Sequence, residues 1–140
     1  MPQRNIAEIV ARRHPVTLTG NASVKKACHL MRQHKIGAIP VLDDDGKLIG
    51  IFSGRDAVGR VIAEGLDPVT TCLLDVMTPN PDTLAPHHRA IDALRLMQDG
   101  GFRHVPIADG RSLVGIVSFA DFNGLERARL DEETGFWEIL

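Results

Sequence analysis

In the first part of the chain, apolar residues are spaced as they are in a helix that buries one face. Four of them follow the i, i+3, i+4, i+7 pattern of such a face: Val24, Ala27, Cys28 and Met31. Asn21 and Ser23 stand just before this face, and their side chains are of the kind that cap the free N–H groups of a first helical turn. The pattern therefore predicts a helix that begins near Ser23, and an extended piece at Val16–Leu18 precedes it.

Two short apolar runs follow the predicted helix. Ala38–Leu42 and Leu48–Phe52 enclose the polar segment Asp43–Gly46, which is typical of a turn between two strands. The pattern predicts a β-hairpin. A second helix is expected to open at Ser53 or Gly54. Its inward face is expected to consist of Ala57, Val58 and Val61, and Gly65 is expected to end it.

The second half of the chain repeats the first. Leu48-Ile49-Gly50-Ile51 matches Leu113-Val114-Gly115-Ile116, and the helix face reappears with an ending at Gly100-Gly101. The residues of that second face are Ala90, Ala93, Leu94 and Met97. The segments before the repeats, Ile6–Val10 and Leu73–Met77, also resemble each other. The chain is therefore two β-α-β-β-α units, an α+β fold.

A unit of this size hardly buries its own sheet, so we expect the two copies to pack sheet to sheet with approximate twofold symmetry. The expected organisation is a first domain at 6–65, a linker and lead-in at 66–81, a second domain at 82–125 and a helical tail at 126–140.

Composition narrows the classes of partner. The chain of 140 residues is 44% hydrophobic and 24% charged, with a net charge of -2 and no basic stripe. We therefore expect no nucleic-acid partner. Apolar runs are too short for a membrane span, and the start of the chain does not resemble a signal peptide, so a cytoplasmic protein is expected. Cys28 and Cys72 form no paired motif and are expected to be buried small side chains.

The polar pair that follows each hairpin carries the most chemistry. In each copy a serine precedes an aspartate by three residues at the point where a strand gives way to a helix, and we call this segment the Ser-x-x-Asp turn. The pairs are Ser53 and Asp56 in the first copy and Ser118 and Asp121 in the second. Free N–H groups at a helix start can hold a phosphate, and a carboxylate can accept the hydroxyls of a ribose. An ordinary helix cap explains the same residues, and duplication would copy a cap equally well.

The start of each hairpin offers a second candidate surface, because each copy has a proline that is expected at the strand start. Its residues are Ile36, Gly37, Ala38 and Pro40 in the first copy and Phe102, Arg103, His104 and Pro106 in the second. A proline leaves neighbouring backbone groups without ladder bonds, so these groups could bind the edge of a base. Packing at a strand edge is an equal alternative. A metal site at His87, His88 and Asp92 is disfavoured, because no further ligands converge there.

Together these motifs resemble a tandem CBS-domain pair over about residues 6 to 125. The resemblance implies two domains whose interface holds clefts for an adenosine-containing ligand, namely AMP, ADP, ATP, NAD(H) or S-adenosylmethionine. It implies a non-catalytic regulatory module without a catalytic cofactor, which often forms a homodimer and acts on a regulated partner protein.

Carried over by position, the resemblance gives Asp56 and Asp121 to the ribose, and Ser53 and Ser118 to the phosphate or ribose. The hairpin starts would contact adenine. The other residues implied to line the clefts are Thr17, Thr83 and the cationic phosphate candidates Arg55, Arg103 and His104. The apolar end of the tail, with Phe136 and Trp137, motivates an alternative, an interaction module with vestigial clefts.

Overall fold

The structure, a computed structural model, describes residues 4–130, which contain both helices and strands. The helices are α1 (Ile6–Val10), α2 (Val24–His34), α3 (Gly54–Asp56), α4 (Leu73–Val76) and α5 (Ala90–Gly100). The strands are β1 (Leu18–Thr19), β2 (Ala38–Leu42), β3 (Leu48–Ser53), β4 (Thr78–Pro79), β5 (His104–Asp109) and β6 (Ser112–Ser118). A π-helical segment, Ala57–Ile62, continues α3, a 3-10 turn spans Phe119–Asp121, and residues 124–130 are helical.

The chain forms two units, each with its own core. The first-repeat unit consists of His14–Asp82 and Gly110–Leu113. The second-repeat unit consists of the described parts of Met1–Arg13, Thr83–Asp109 and Val114–Leu140. The mixture of helices and strands confirms the α+β class.

A four-stranded sheet, in the order β1-β2-β3-β4, organises the first-repeat unit. β1 runs parallel to β2, whereas the neighbours β2 and β3, and β3 and β4, are antiparallel. The predicted cap is confirmed, because the Ser23 Oγ accepts the Lys26 N–H at 3.1 Å. α2 packs Val24, Ala27 and Met31 into the core, with Cys28 half-buried beside them.

The predicted inward face of the second helix is wrong at Val58, which is 62% exposed. The helix widens into the π-helical segment directly after α3, and the i, i+4 pair Ala57 and Val61 alone turns to the core. Val58 therefore lies on the solvent side, and Ile62, four residues further, is exposed with it.

The second-repeat unit keeps the helix and the hairpin. α5 buries all four predicted face residues together with Ile91, and it ends at Gly101 in the left-handed conformation, with a φ of 70°. β5 pairs with β6, and Leu84 makes a single parallel bridge to Ile107 where the first repeat has a strand. Ser118 opens only the short 3-10 turn.

Each unit takes its lead-in from the other repeat. α1 lies in the second-repeat unit, where the Ile6 N–H donates to the His88 carbonyl, at 2.8 Å. α4 lies in the first-repeat unit, where the Leu73 N–H donates to the Ala22 carbonyl, at 2.9 Å. Ile6 and Leu73 are both fully buried, so the lead-ins are part of the two cores.

Glycine at one repeated strand position makes room for these lead-ins. A Cβ at Gly50 of β3 would overlap the Met77 Sδ, and a Cβ at Gly115 of β6 would lie 3.0 Å from the Val10 Cβ. Met77 and Val10 are themselves matching residues of the two lead-ins. The glycine that the repeat shares therefore permits the same close approach in both units.

Candidate functional site

Hairpin register brings the two candidate features together in the first-repeat unit. Ala38 at the start of β2 pairs with Ser53 at the end of β3. The Gly54 N–H donates to the Gly37 carbonyl at 3.1 Å, so the hairpin start and the Ser-x-x-Asp turn lie side by side. Gly37 is exposed, which leaves this edge accessible.

The second-repeat unit has the same arrangement. The Phe119 N–H donates to the Arg103 carbonyl at 2.9 Å, which joins the start of β5 to the turn after β6. Gly54 and Phe119 each directly follow the serine of the motif. The same backbone bond therefore links hairpin and turn in both repeats.

Asp56 is buried and hydrogen-bonded on both of its carboxylate oxygens. Its Oδ2 accepts the Ser53 N–H at 2.9 Å and the Ser53 hydroxyl at 3.1 Å. Its Oδ1 accepts the Thr78 hydroxyl at 3.2 Å and lies 3.6 Å from the Arg60 Nε. The Asp56 N–H returns a bond to the Ser53 Oγ at 3.3 Å, which completes a capping box. The helix-cap interpretation thus accounts for this pair on its own.

Asp121 is less buried and its partners are different. Its Oδ2 accepts the Ser118 N–H at 2.7 Å and the Ser118 hydroxyl at 3.4 Å. Its Oδ1 forms an ion pair with the Arg13 guanidinium at 3.0 Å. A cation therefore occupies the oxygen that in the first-repeat unit receives the neutral Thr78 hydroxyl.

Four arginines surround the 3-10 turn, and we call them the arginine cluster: Arg4, Arg13, Arg103 and Arg127. Arg103 and Arg127 lie over the Phe119 ring, with 4.6 Å and 4.4 Å from guanidinium carbon to ring centroid. Arg127 also donates to the Phe119 carbonyl, at 2.9 Å, while its buried Nε has no hydrogen-bond partner within the described part of the chain. Arginines therefore outnumber the carboxylates of Asp121 and Glu126 around the turn, although its own sequence, Phe119-Ala120-Asp121, has no basic residue.

Only Arg103 of this cluster was a candidate from the sequence. Arg4 donates to the Asp121 carbonyl at 3.0 Å and pairs with Glu126 at 2.6 Å. The Glu126 bond raises the pKa of Arg4, and the Arg4 bond lowers the pKa of Glu126. Arg4 and Arg13 stand on either side of the lead-in Ile6–Val10, and local motifs give no signal for such long-range partners.

His104 lies beside the same turn with an altered basicity. Burial and then the neighbouring Arg103 charge lower the pKa of His104 below its ordinary value, and Asp121 opposes them. His104 is therefore a poor cation near neutral pH, so the positive charge here belongs to the arginines.

The other predicted site residues differ in their exposure to solvent. Ile36, Phe102 and Thr17 are half-buried, whereas Thr83 and Arg55 are exposed.

The sequence pattern placed the two prolines at the start of their strands, and this prediction is wrong. Pro40 and Pro106 are each the third residue of their strand, and both are buried. Their rings pack in the interior, and the accessible part of each hairpin start is the segment before the proline.

Within residues 4–130, no group of three or more metal-ligating side chains is brought together. In the same range, no helix has the length and apolarity that crossing a membrane requires. Phe136 and Trp137, on which the interaction alternative depended, lie outside the described residues.

Solved CBS-domain structures share this fold. The CBS domain pair of protein MJ0100, in complex with methylthioadenosine and S-adenosyl-L-methionine, is 25% identical with a TM-score of 0.77, covering 95% of this chain and 99% of its own. A CBS domain protein of Pyrobaculum aerophilum, complexed with AMP, shares the fold at 22% identity with a TM-score of 0.80, covering 91% and 98%.

Proteins similar in sequence to this chain also contain CBS domains. The CBS domain-containing protein YhcV of Bacillus subtilis is 37% identical over 105 residues, which is 75% of this chain and 74% of that protein. The chain spans only 19% to 23% of the length of its Arabidopsis thaliana relatives. The family model of the CBS domain matches residues 6–63 and 73–124. The two matched segments are the two repeats, and the chain belongs to the CBS-domain family.

Proposed function

We propose that this protein is a regulatory module that binds an adenosine-containing ligand at its Ser-x-x-Asp turns and performs no chemistry on it. The candidate ligands are AMP, ATP, NAD(H) and S-adenosylmethionine. Binding favours one conformer or assembly over another, and a regulated partner protein responds to that difference.

One observation carries the proposal. In both units the same backbone hydrogen bond, Gly54 to Gly37 and Phe119 to Arg103, places a hairpin start against a Ser-x-x-Asp turn. A surface that offers the backbone of a strand edge beside a fixed carboxylate matches a nucleoside, which has a base edge and a ribose diol a few ångströms apart. Adenosyl ligands in the related MJ0100 pair support this choice of ligand class.

The carboxylates are oriented before any ligand arrives. Ser53 holds Oδ2 of Asp56, and Ser118 holds Oδ2 of Asp121, so Oδ1 is the oxygen that exchanges partners. In the proposed complex, a ribose hydroxyl replaces the Thr78 hydroxyl on Asp56. On Asp121 it replaces the Arg13 guanidinium. Orientation in advance reduces the entropy that binding must spend.

The base is proposed to lie on the hairpin starts. Gly37 is exposed and has no side chain to block the approach of a ring. Ile36 and Phe102 are half-buried next to these backbone groups and would cover a face of adenine.

We also propose that the module self-associates through the exposed side of the π-helical segment. Val58 and Ile62 are 62% and 70% exposed and lie on one face, with Leu66 exposed beyond them at 43%. An apolar face of this kind is suited to a second copy of the chain. Light scattering should show a dimer that Ile62→Glu dissociates, whereas an unchanged mass would exclude this face.

The ligand proposal is tested by calorimetric titration with AMP, ATP, NAD, NADH and S-adenosylmethionine. The comparison is between the unmodified protein and the double variant Asp56→Asn, Asp121→Asn, which keeps an acceptor oxygen at each position but removes the charge. We expect saturable binding of at least one ligand, weakened about tenfold or more in the double variant. Asp82→Asn, an exposed aspartate beyond β4, serves as a matched control.

Two results would contradict the proposal. Equal affinity in the double variant would show that the ligand binds elsewhere. An absence of binding by all five ligands would favour the alternative, an interaction module whose Ser-x-x-Asp turns are helix caps.

A further inference from the structure

The ion pair between Arg13 and Asp121 bears on which ligands the second-repeat unit accepts, and this inference rests on the proposed function. Arg13 reaches Asp121 from the lead-in, where Arg12 adopts the left-handed φ of 64° and the Arg13 N–H donates to the Val10 carbonyl at 3.1 Å. A residue other than glycine rarely adopts this φ, so the turn that delivers Arg13 is a specific feature of the chain.

Binding of a ribose at Asp121 has a consequence for Arg13. The Asp121 Oδ2 already accepts two bonds from Ser118, so the two hydroxyls of a ribose both bind the Oδ1, whose two lone pairs they fill in place of the Arg13 contact at 3.0 Å. The guanidinium then loses its anion. An uncharged ligand offers no replacement, and a cationic ligand adds repulsion, whereas a phosphate is a bidentate partner for the freed arginine.

The surroundings strengthen this selectivity. Arg103 and Arg127 lie over the Phe119 ring beside the same turn, and the buried Arg127 Nε has no hydrogen-bond partner among residues 4–130. Arg4 is taken by Glu126 and the Asp121 carbonyl. The guanidinium groups of Arg103 and Arg127 therefore add to the attraction for an anion once Arg13 is released from Asp121.

The first-repeat unit provides the contrast. The corresponding oxygen of Asp56 accepts the neutral Thr78 hydroxyl at 3.2 Å, with the Arg60 Nε more distant at 3.6 Å. A ribose hydroxyl that replaces another hydroxyl leaves no unpaired charge behind. Arg60 also donates to the Met77 carbonyl at 2.8 Å, so it keeps a partner when its longer ion pair with Asp56 is disturbed, and this site discriminates less by ligand charge.

We propose that Arg13 is a specificity-determining residue, which makes the Asp121 site select adenosine ligands that carry phosphate over uncharged or cationic ones. Arg13 acts in two opposite ways. It competes with the ribose of every ligand for Asp121, and it repays that competition only when the ligand brings an anion.

The test compares ATP with methylthioadenosine, which is uncharged, in the Asp56→Asn background, where Asp121 is the remaining Ser-x-x-Asp carboxylate. Calorimetry should give tighter binding of ATP. Arg13→Gln should weaken ATP and strengthen methylthioadenosine, so that the affinity ratio falls about tenfold or more. Arg13→Lys, which keeps the charge, should retain most of the ratio. Thermal unfolding of each variant checks the fold.

Arg12→Gln is the matched control, because it removes the same charge from the exposed neighbouring residue. An equal fall of the ratio in this variant would assign the effect to net charge and overturn the proposal. So would an unchanged ratio in Arg13→Gln, an equal loss for both ligands, or a background variant that binds neither ligand while the unmodified protein binds them. Failure of the unmodified protein to bind any ligand would instead overturn the proposed function.

Discussion

Removal of the Asp56 carboxylate should destabilise the ligand-free protein, because this side chain is part of the fold as well as the candidate site. Asp56 is 8% exposed and accepts three hydrogen bonds, from the N–H and hydroxyl of Ser53 and from the hydroxyl of Thr78. Asp56→Ala leaves the Ser53 N–H without an acceptor, a loss of about 1–3 kcal/mol, and removes half of a capping box worth about 1 kcal/mol.

We therefore expect Asp56→Ala to lower the free energy of unfolding by about 2–4 kcal/mol. Urea denaturation followed by circular dichroism measures this change as a lower midpoint at similar slope. Asp56→Asn should lose less, because its carbonyl oxygen still accepts the Ser53 N–H. Asp121→Ala should also lose less, because Asp121 is less buried and its partner Arg13 is 43% exposed. The reasoning is refuted if Asp56→Ala unfolds within about 0.5 kcal/mol of the unmodified protein.

Three further predictions follow from packing and charge. Gly50→Ala should destabilise the protein by about 1–3 kcal/mol, because its Cβ would overlap the buried side chain of Met77, which follows α4. Gly59→Ala has open space around its Cβ and should be neutral or slightly stabilising, and thermal unfolding distinguishes the two variants. Leu73→Ala, at a fully buried site, should lose about 2–5 kcal/mol in urea denaturation, whereas the 59% exposed Leu74→Ala should lose far less; equal losses would contradict the place of α4 in the core. His104 should titrate below its ordinary pKa in NMR spectra, and because the unfolded chain then binds the proton more readily, stability should decline as pH falls from about 6.5, a decline that His104→Gln reduces.

Local patterns sufficed for the elements that local forces determine. The helix over Val24–His34 follows from its apolar spacing and its Ser23 cap, and the hairpin of β2 and β3 follows from two apolar runs around a turn. Val58 was misplaced because periodicity assumes a regular α-helix, and the π-helical segment changes which residues face inward.

Long-range contacts at the site lay beyond such patterns. Arg13 and Asp121 are far apart in sequence, and an ion pair between them depends on the docking of α1 in the second-repeat unit. Nothing in the composition of Ile6–Val10 specifies the unit whose core it joins. The Ser-x-x-Asp turns were recognisable, but their partners, Thr78 in one unit and Arg13 in the other, required the structure.

The most direct test of the central claim maps ligand contacts onto the two turns. Amide NMR spectra of the protein, recorded during titration with ATP and with S-adenosylmethionine, report the environment of each backbone N–H. We expect the largest saturable shifts at Ser53 and Ser118, whose N–H groups bind the carboxylates, and at the neighbouring hairpin-start amides of Gly37 and Arg103. Saturable shifts confined to other surfaces, or no shifts with either ligand, would contradict it.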